Sequence, residues 1–128
     1  MYTGAESSAL RSVMTDYLEG MIYGDADQLR RAFHPGAVAA GHFEGRFYLS
    51  SRDAFIAEWL ALTTLPRGTP FVSQIEMIDV TGDVAVVKVT DTCFGDDYTD
   101  YLTLTKTEGA WRILSKAWFV HRAAGPAQ

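Results

Sequence analysis

Apolar residues at Leu10, Val13, Met14, Tyr17, Leu18, Met21 and Ile22 recur at the three- and four-residue spacing that puts them on one face of a helix. Thr3 followed by Glu6 is a capping-box pattern that opens this helix, and Gly24 is suited to end it. Asp25 with Gln28 repeats the pattern and predicts a short second helix running to about His34-Pro35. The spacing then changes. Residues 37–49 predict a hairpin turning at Glu44-Gly45, and Ser50 or Ser51 caps a third helix through Phe55, Ile56, Trp59 and Leu60. The segment Leu65–Pro70, with two prolines and a glycine, stops that helix.

From there the period is two. Strands are expected at about 71–80, 84–94, 98–106 and 111–121, and their short connections require an antiparallel meander. One face of such a meander must be buried, and the helices ahead of it supply the cover. The expected fold class is therefore α+β, with three N-terminal helices packed on a curled antiparallel sheet. A single domain is expected over residues 1–128, with its core at about 5–121, since neither a repeat nor a linker interrupts the pattern.

Composition narrows the partners. Of 128 residues 48% are hydrophobic and 21% charged, as in ordinary globular chains. The formal net charge of −5, with basic residues scattered, argues against nucleic acid and anionic membranes. No run approaches the roughly 20 apolar residues of a membrane span, and MYTGAESSAL lacks the layout of a signal peptide. With one cysteine, Cys93, a cytoplasmic location is expected. His34, His42 and His121 show none of the short ligand spacings of metal sites, and phosphate-loop and G-x-S-x-G patterns are missing, so neither metal nor cofactor is expected.

Strand parity selects candidate site residues. Ala85, Val87 and Val89 share a face with Asp91 and Cys93, and Leu102 and Leu104 share one with Asp100, so two carboxylates are expected to face one cavity. A carboxyl among apolar groups tends to hold its proton; a wet strand end would instead leave it an ordinary acid. Tyr17 lies in the apolar stripe of helix 1, as a core tyrosine would too. Phe55, Trp59 and Trp118 could wall an aromatic ligand or simply fill the core. His121 shares parity with Trp111, Ile113 and Phe119, which turns it inward unless a bulge intervenes. His42 is a candidate base on its ordinary pKa, although its parity opposes that of Gly41. An inward Cys93 is expected to be inert packing.

The order helix, short helix, hairpin, helix, meander, together with DYLEGMIYGDADQLRRAFHPGA, SRDAFIAEW, GDVAVVKV and TDYLTLTKTEGAWRILSKAW, resembles the nuclear transport factor 2-like superfamily. The branch it resembles most is the one called putative lumazine-binding, close to the SnoaL-like cyclases. That resemblance implies a cone-shaped α+β roll and a homodimer built on the outer sheet face, with Lys88, Thr90, Tyr101, Thr103 and Thr105 on it. It implies a pocket for a small apolar organic molecule, used either for binding and dimerisation alone or for isomerisation, dehydration or cyclisation. Ketosteroid-isomerase-like members carry an oxyanion tyrosine seven residues before a Gly-Asp pair, and Tyr17 stands seven before Gly24-Asp25. Their second donor, a protonated aspartate, corresponds to Asp100. The base of those members falls at Gly41, so His42 or Asp91 is left to move the proton.

Overall fold

The computed structural model describes residues 4–62 and 64–121. Three helices, α1 (Gly4–Tyr23), α2 (Ala26–Ala32) and α3 (Arg52–Leu60), pack on a six-stranded sheet. The strands are β1 (Phe33–Phe43), β2 (Arg46–Ser51), β3 (Val72–Thr81), β4 (Val84–Cys93), β5 (Asp96–Thr107) and β6 (Ala110–His121). Their order across the sheet is β2-β1-β6-β5-β4-β3. The expected cap at Thr3 lies outside the described residues. Asp25 does cap α2, accepting from the Gln28 amide at 3.1 Å, and Ser51 caps α3 by accepting from the Ala54 amide. Between α1 and α2, Gly24 adopts a φ of 71°, which suits glycine.

The four C-terminal strands form an antiparallel meander. The first hairpin joins it through β1, which runs parallel to β6. Helix α2 is shorter than expected and yields to β1 at Phe33, so His34 and Pro35 sit on a strand. A proline cannot donate to the ladder, and the β1–β6 register slips between Phe33 and Val38. The β4–β5 turn also sits earlier than the sequence suggests, at Phe94 and Gly95, both of which have positive φ as a tight hairpin turn requires.

The core lies between the helices and the concave sheet face, where Leu10, Met14, Tyr17, Leu29, Ile56, Val87, Val89, Leu102, Leu104 and Ile113 are essentially inaccessible. Two local features shape its open end. On β6 the register with β5 passes from Leu104↔Ile113 to Thr103↔Ser115, so Leu114 is an extra residue, a bulge. Inward parity therefore changes from Trp111 and Ile113 to Lys116 and Trp118. On β1, Gly41 faces Trp118 across the parallel pair, and the indole lies directly against it. A methyl group at Gly41 would overlap the indole ring atoms.

Replacing Gly41 by Ala should therefore force Trp118 out of place. The expected outcome is a loss of about 1–3 kcal/mol in urea unfolding together with altered tryptophan emission. An unchanged midpoint and spectrum would show that the close approach is not required.

Candidate functional site

A cavity of about 790 Å³ opens where α1, α3 and the strand ends meet, within the range of small-molecule sites. Its walls are largely apolar: Leu18 and Met21 from α1, Phe55 and Trp59 from α3, Phe94 from the β4–β5 turn and Trp118 from β6. Trp59 is pinned, because its indole N–H donates to the carbonyl of Met21. Phe94 packs against it with ring centroids 6.0 Å apart.

The floor is polar and almost dry. Tyr17 (1% exposed) projects from α1, Asp100 (2%) from β5 and Lys116 (5%) from β6. The Tyr17 hydroxyl donates to Oδ2 of Asp100 at 2.7 Å, and Nζ of Lys116 donates to the Tyr17 oxygen at 2.6 Å. The lysine nitrogen also lies 4.9 Å from the Phe55 ring centre and 5.5 Å from that of Trp118, the range of cation–π contacts. Its 4.9 Å separation from the Tyr17 ring reflects the hydrogen bond, since a donor to the phenolic oxygen stands off the ring's end. Lysine has three N–H groups, so two remain beyond the bond to Tyr17.

Asp91 stands two residues beyond Val89, the cross-strand partner of Asp100, so both carboxyls project from the same sheet face. One oxygen of each, Oδ1 of Asp91 and Oδ1 of Asp100, is buried without a hydrogen-bond partner among the described residues. One proton shared by the two carboxyls would satisfy both. Burial, followed by the negative charge of Asp100, pushes Asp91 up to about 7, with the Lys116 charge opposing. Tyr17 is held well above its ordinary value, first by burial and then by the charges of Asp100 and Asp91, so its proton stays on oxygen. Cys93 also lines the cavity, but burial and the neighbouring Asp91 raise its thiol to about 12 and keep it protonated.

Tyr17, Asp91, Asp100, Phe55, Trp59 and Trp118 thus border one cavity. The wiring differs from the expected pair of oxyanion donors, because Tyr17 donates to Asp100 instead of both donating to a third oxygen. His42 does not enter. It is exposed on β1, its ring 5.2 Å from that of Phe47, as the parity opposite to Gly41 dictates. His121 is also outside, exposed beyond the Leu114 bulge with Nε2 2.8 Å from Oγ1 of Thr99. The residue that parity missed is Lys116. Adjacent apolar residues Ile113-Leu114, followed by a tryptophan out of step with Trp111, were the available sign of the bulge. Among the described residues no three His, Cys, Asp or Glu side chains are grouped to hold a metal, and no helix is long and apolar enough to cross a membrane.

Comparison with known proteins gives a consistent picture. The model of the family described as putative lumazine-binding matches residues 5–119. An NTF2-like protein of unknown function from Silicibacter pomeroyi is 34% identical, with a TM-score of 0.86 over 94% of this chain and 100% of that one. An NTF2-like protein of unknown function from Shewanella baltica, 22% identical, has a TM-score of 0.84 over 96% and 99% of the two chains. The aldolase FrzH of Cladobotryum sp is 29% identical over 116 residues, 89% of this chain and 90% of that protein.

Asp91 makes stability depend on pH. Its folded-state value near 7 exceeds the ordinary carboxylate value near 4, so between these the native state keeps a proton that the unfolded chain has released. Stability attributable to Asp91 should fall as pH rises through that window and level off above it. Asp91→Asn, which stays neutral, should be more stable than the wild type at pH 8 by the order of a few kcal/mol and close to it at pH 4, read from urea midpoints. Parallel pH profiles for the two proteins would contradict the shift.

Proposed function

This chain belongs to the putative lumazine-binding family of NTF2-like proteins, and on that premise we propose that its cavity is an acid–base site for a small, largely apolar carbonyl compound. The observation that carries the reading is the placement of a carboxyl, Asp91, in the same aromatic-walled cavity as the buried Lys116, and burial beside Asp100 pushes that carboxyl up to about 7. A general acid or base works best when its pKa lies near the working pH, and a cation in a dry site stabilises charge that develops on oxygen.

With the substrate carbonyl directed at Lys116, a C–H bond next to it breaks and its proton passes to the Asp91 carboxylate. The bonding pair moves to the carbonyl oxygen, and the resulting enolate is held by the lysine N–H groups that Tyr17 does not use. Return of the proton to a different carbon isomerises the substrate. Loss of a β-hydroxyl as water, with Asp91 donating the proton, dehydrates it. Attack of the enolate on a second carbonyl carbon forms a C–C bond as that carbonyl's π pair moves to its oxygen, which takes the proton from Asp91, and the reverse cleaves one. All of these share one intermediate, and the name of the Cladobotryum relative supports the last. Asp100 and Tyr17 position the lysine through the chain of hydrogen bonds on the floor.

A binding module without chemistry is the second reading, favoured by Gly41, where Trp118 fills the space in which the resemblance implied a base. Asp91 supplies a carboxyl to the same cavity from a different strand, which supports the enzymatic reading.

Exchange of α-protons for deuterium in aryl ketones, phenylacetone among them, tests the proposal by NMR. The wild type should exceed the buffer rate, the rate should climb as pH rises through about 7, and Asp91→Asn should reduce it roughly 10²–10⁴-fold. Exchange at the buffer rate across the panel, or an Asp91→Asn variant equal to the wild type, would overturn it.

A further inference from the structure

We propose that Lys116 is the amine of a carbonyl-capturing site, forming a protonated imine with an aldehyde or ketone bound in the cavity. The proposal rests on the reading that the cavity takes a carbonyl compound, and it assigns the lysine a covalent role beyond charge stabilisation. Burying a lysine is costly unless its charge is matched, and the surroundings of Lys116 match a single positive charge: Asp100 through Tyr17, and the rings of Phe55 and Trp118. A protonated imine carries the same charge on the same nitrogen. Converting the ammonium and a carbonyl into iminium and water therefore leaves the buried electrostatics as they were.

The amine must first lose a proton, and the floor provides the route. The bond of 2.6 Å from Lys116 to Tyr17 and that of 2.7 Å from Tyr17 to Asp100 run head to tail. A Lys116 proton moves to the Tyr17 oxygen as the Tyr17 proton moves to Oδ2 of Asp100. The amine is freed while the phenol never ionises, in keeping with the tight hold on its proton. Nitrogen then bonds to the carbonyl carbon, and the C=O π pair goes to oxygen, which takes a proton from the acid form of Asp91. The nitrogen of this adduct passes a proton back to Asp91, which returns it to the hydroxyl so that water leaves and the C=N bond forms. The two carboxyls hold one proton between them at the start and one at the end, so atoms and charge balance. Lys116 lines the cavity.

Reductive trapping gives the test. The wild-type protein is incubated with benzaldehyde and sodium cyanoborohydride near pH 7, digested and mapped by mass spectrometry. Lys116 should acquire a benzyl group at least about tenfold faster than Lys88 and Lys106, despite its burial. Tyr17→Phe, which interrupts the proton route, should slow trapping at Lys116 without changing it at the other two. Modification of Lys88 and Lys106 with Lys116 untouched would overturn the proposal, as would equal trapping in Tyr17→Phe and wild type. Benzaldehyde has no α-hydrogen, so trapping is independent of the proton abstraction proposed above. Ketone exchange without trapping would sink the imine alone, and trapping without exchange would sustain the imine and remove the acid–base reading.

Discussion

A buried positive charge at Lys116 must be neutralised, and the way this is done organises the open end of the molecule. Its partner is Asp100, reached through the Tyr17 hydroxyl, so one chain of hydrogen bonds ties β6, α1 and β5 together at the base of the cavity. Removing either end would leave an uncompensated charge in an apolar environment, a far larger penalty than the loss of a surface ion pair. The contrast with Arg67 is instructive. It meets Glu19 and Asp25 at the surface, half-exposed, and links the segment before β3 to the first two helices by contacts of modest strength. Among the described residues only the floor cluster combines burial, opposite charges and a cavity.

The cavity itself follows from one strand bulge and one glycine. Without the bulge at Leu114, parity would carry Ser115 and Ala117 inward and send Lys116 to solvent. With it, Lys116 and Trp118 face the helices while Phe119 (60% exposed) and His121 face out. Gly41 then allows the indole of Trp118 to lie flat on the neighbouring strand, a close backbone approach of the kind strand glycines serve. The result is an open space above the floor, bounded by Phe55, Trp59 and Trp118.

Most of the architecture was legible in the order of periods, helical then two-residue, and in turn residues such as Glu44-Gly45 and the caps Asp25 and Ser51. The parallel union of β1 with β6 was not, because strand pairing between distant segments leaves no local mark. For the site, the alternation that turns Asp91 and Asp100 inward survives along unbroken β4 and β5. On β6 a single extra residue reverses it, turning His121 to solvent and Lys116 into the cavity, and a one-residue bulge leaves only a faint mark in the sequence. His42 illustrates the converse: its residue type suggested chemistry, but the regular parity of β1 already pointed it to solvent. How Tyr17, Asp100 and Lys116 are wired depends on side-chain distances, which spacing does not encode.

The proposed chemistry requires a cation at the base of the apolar, aromatic-walled cavity to receive an oxygen bearing negative charge. The most direct measurement is the absorbance of bound 4-nitrophenol, whose neutral and ionised forms differ in colour. Titrated against the protein at a pH below its own pKa, the phenol should bind as the coloured phenolate, and Lys116→Met should abolish the coloured form while circular dichroism remains native. Binding of the colourless phenol, or a phenolate signal that survives Lys116→Met, would contradict the central claim.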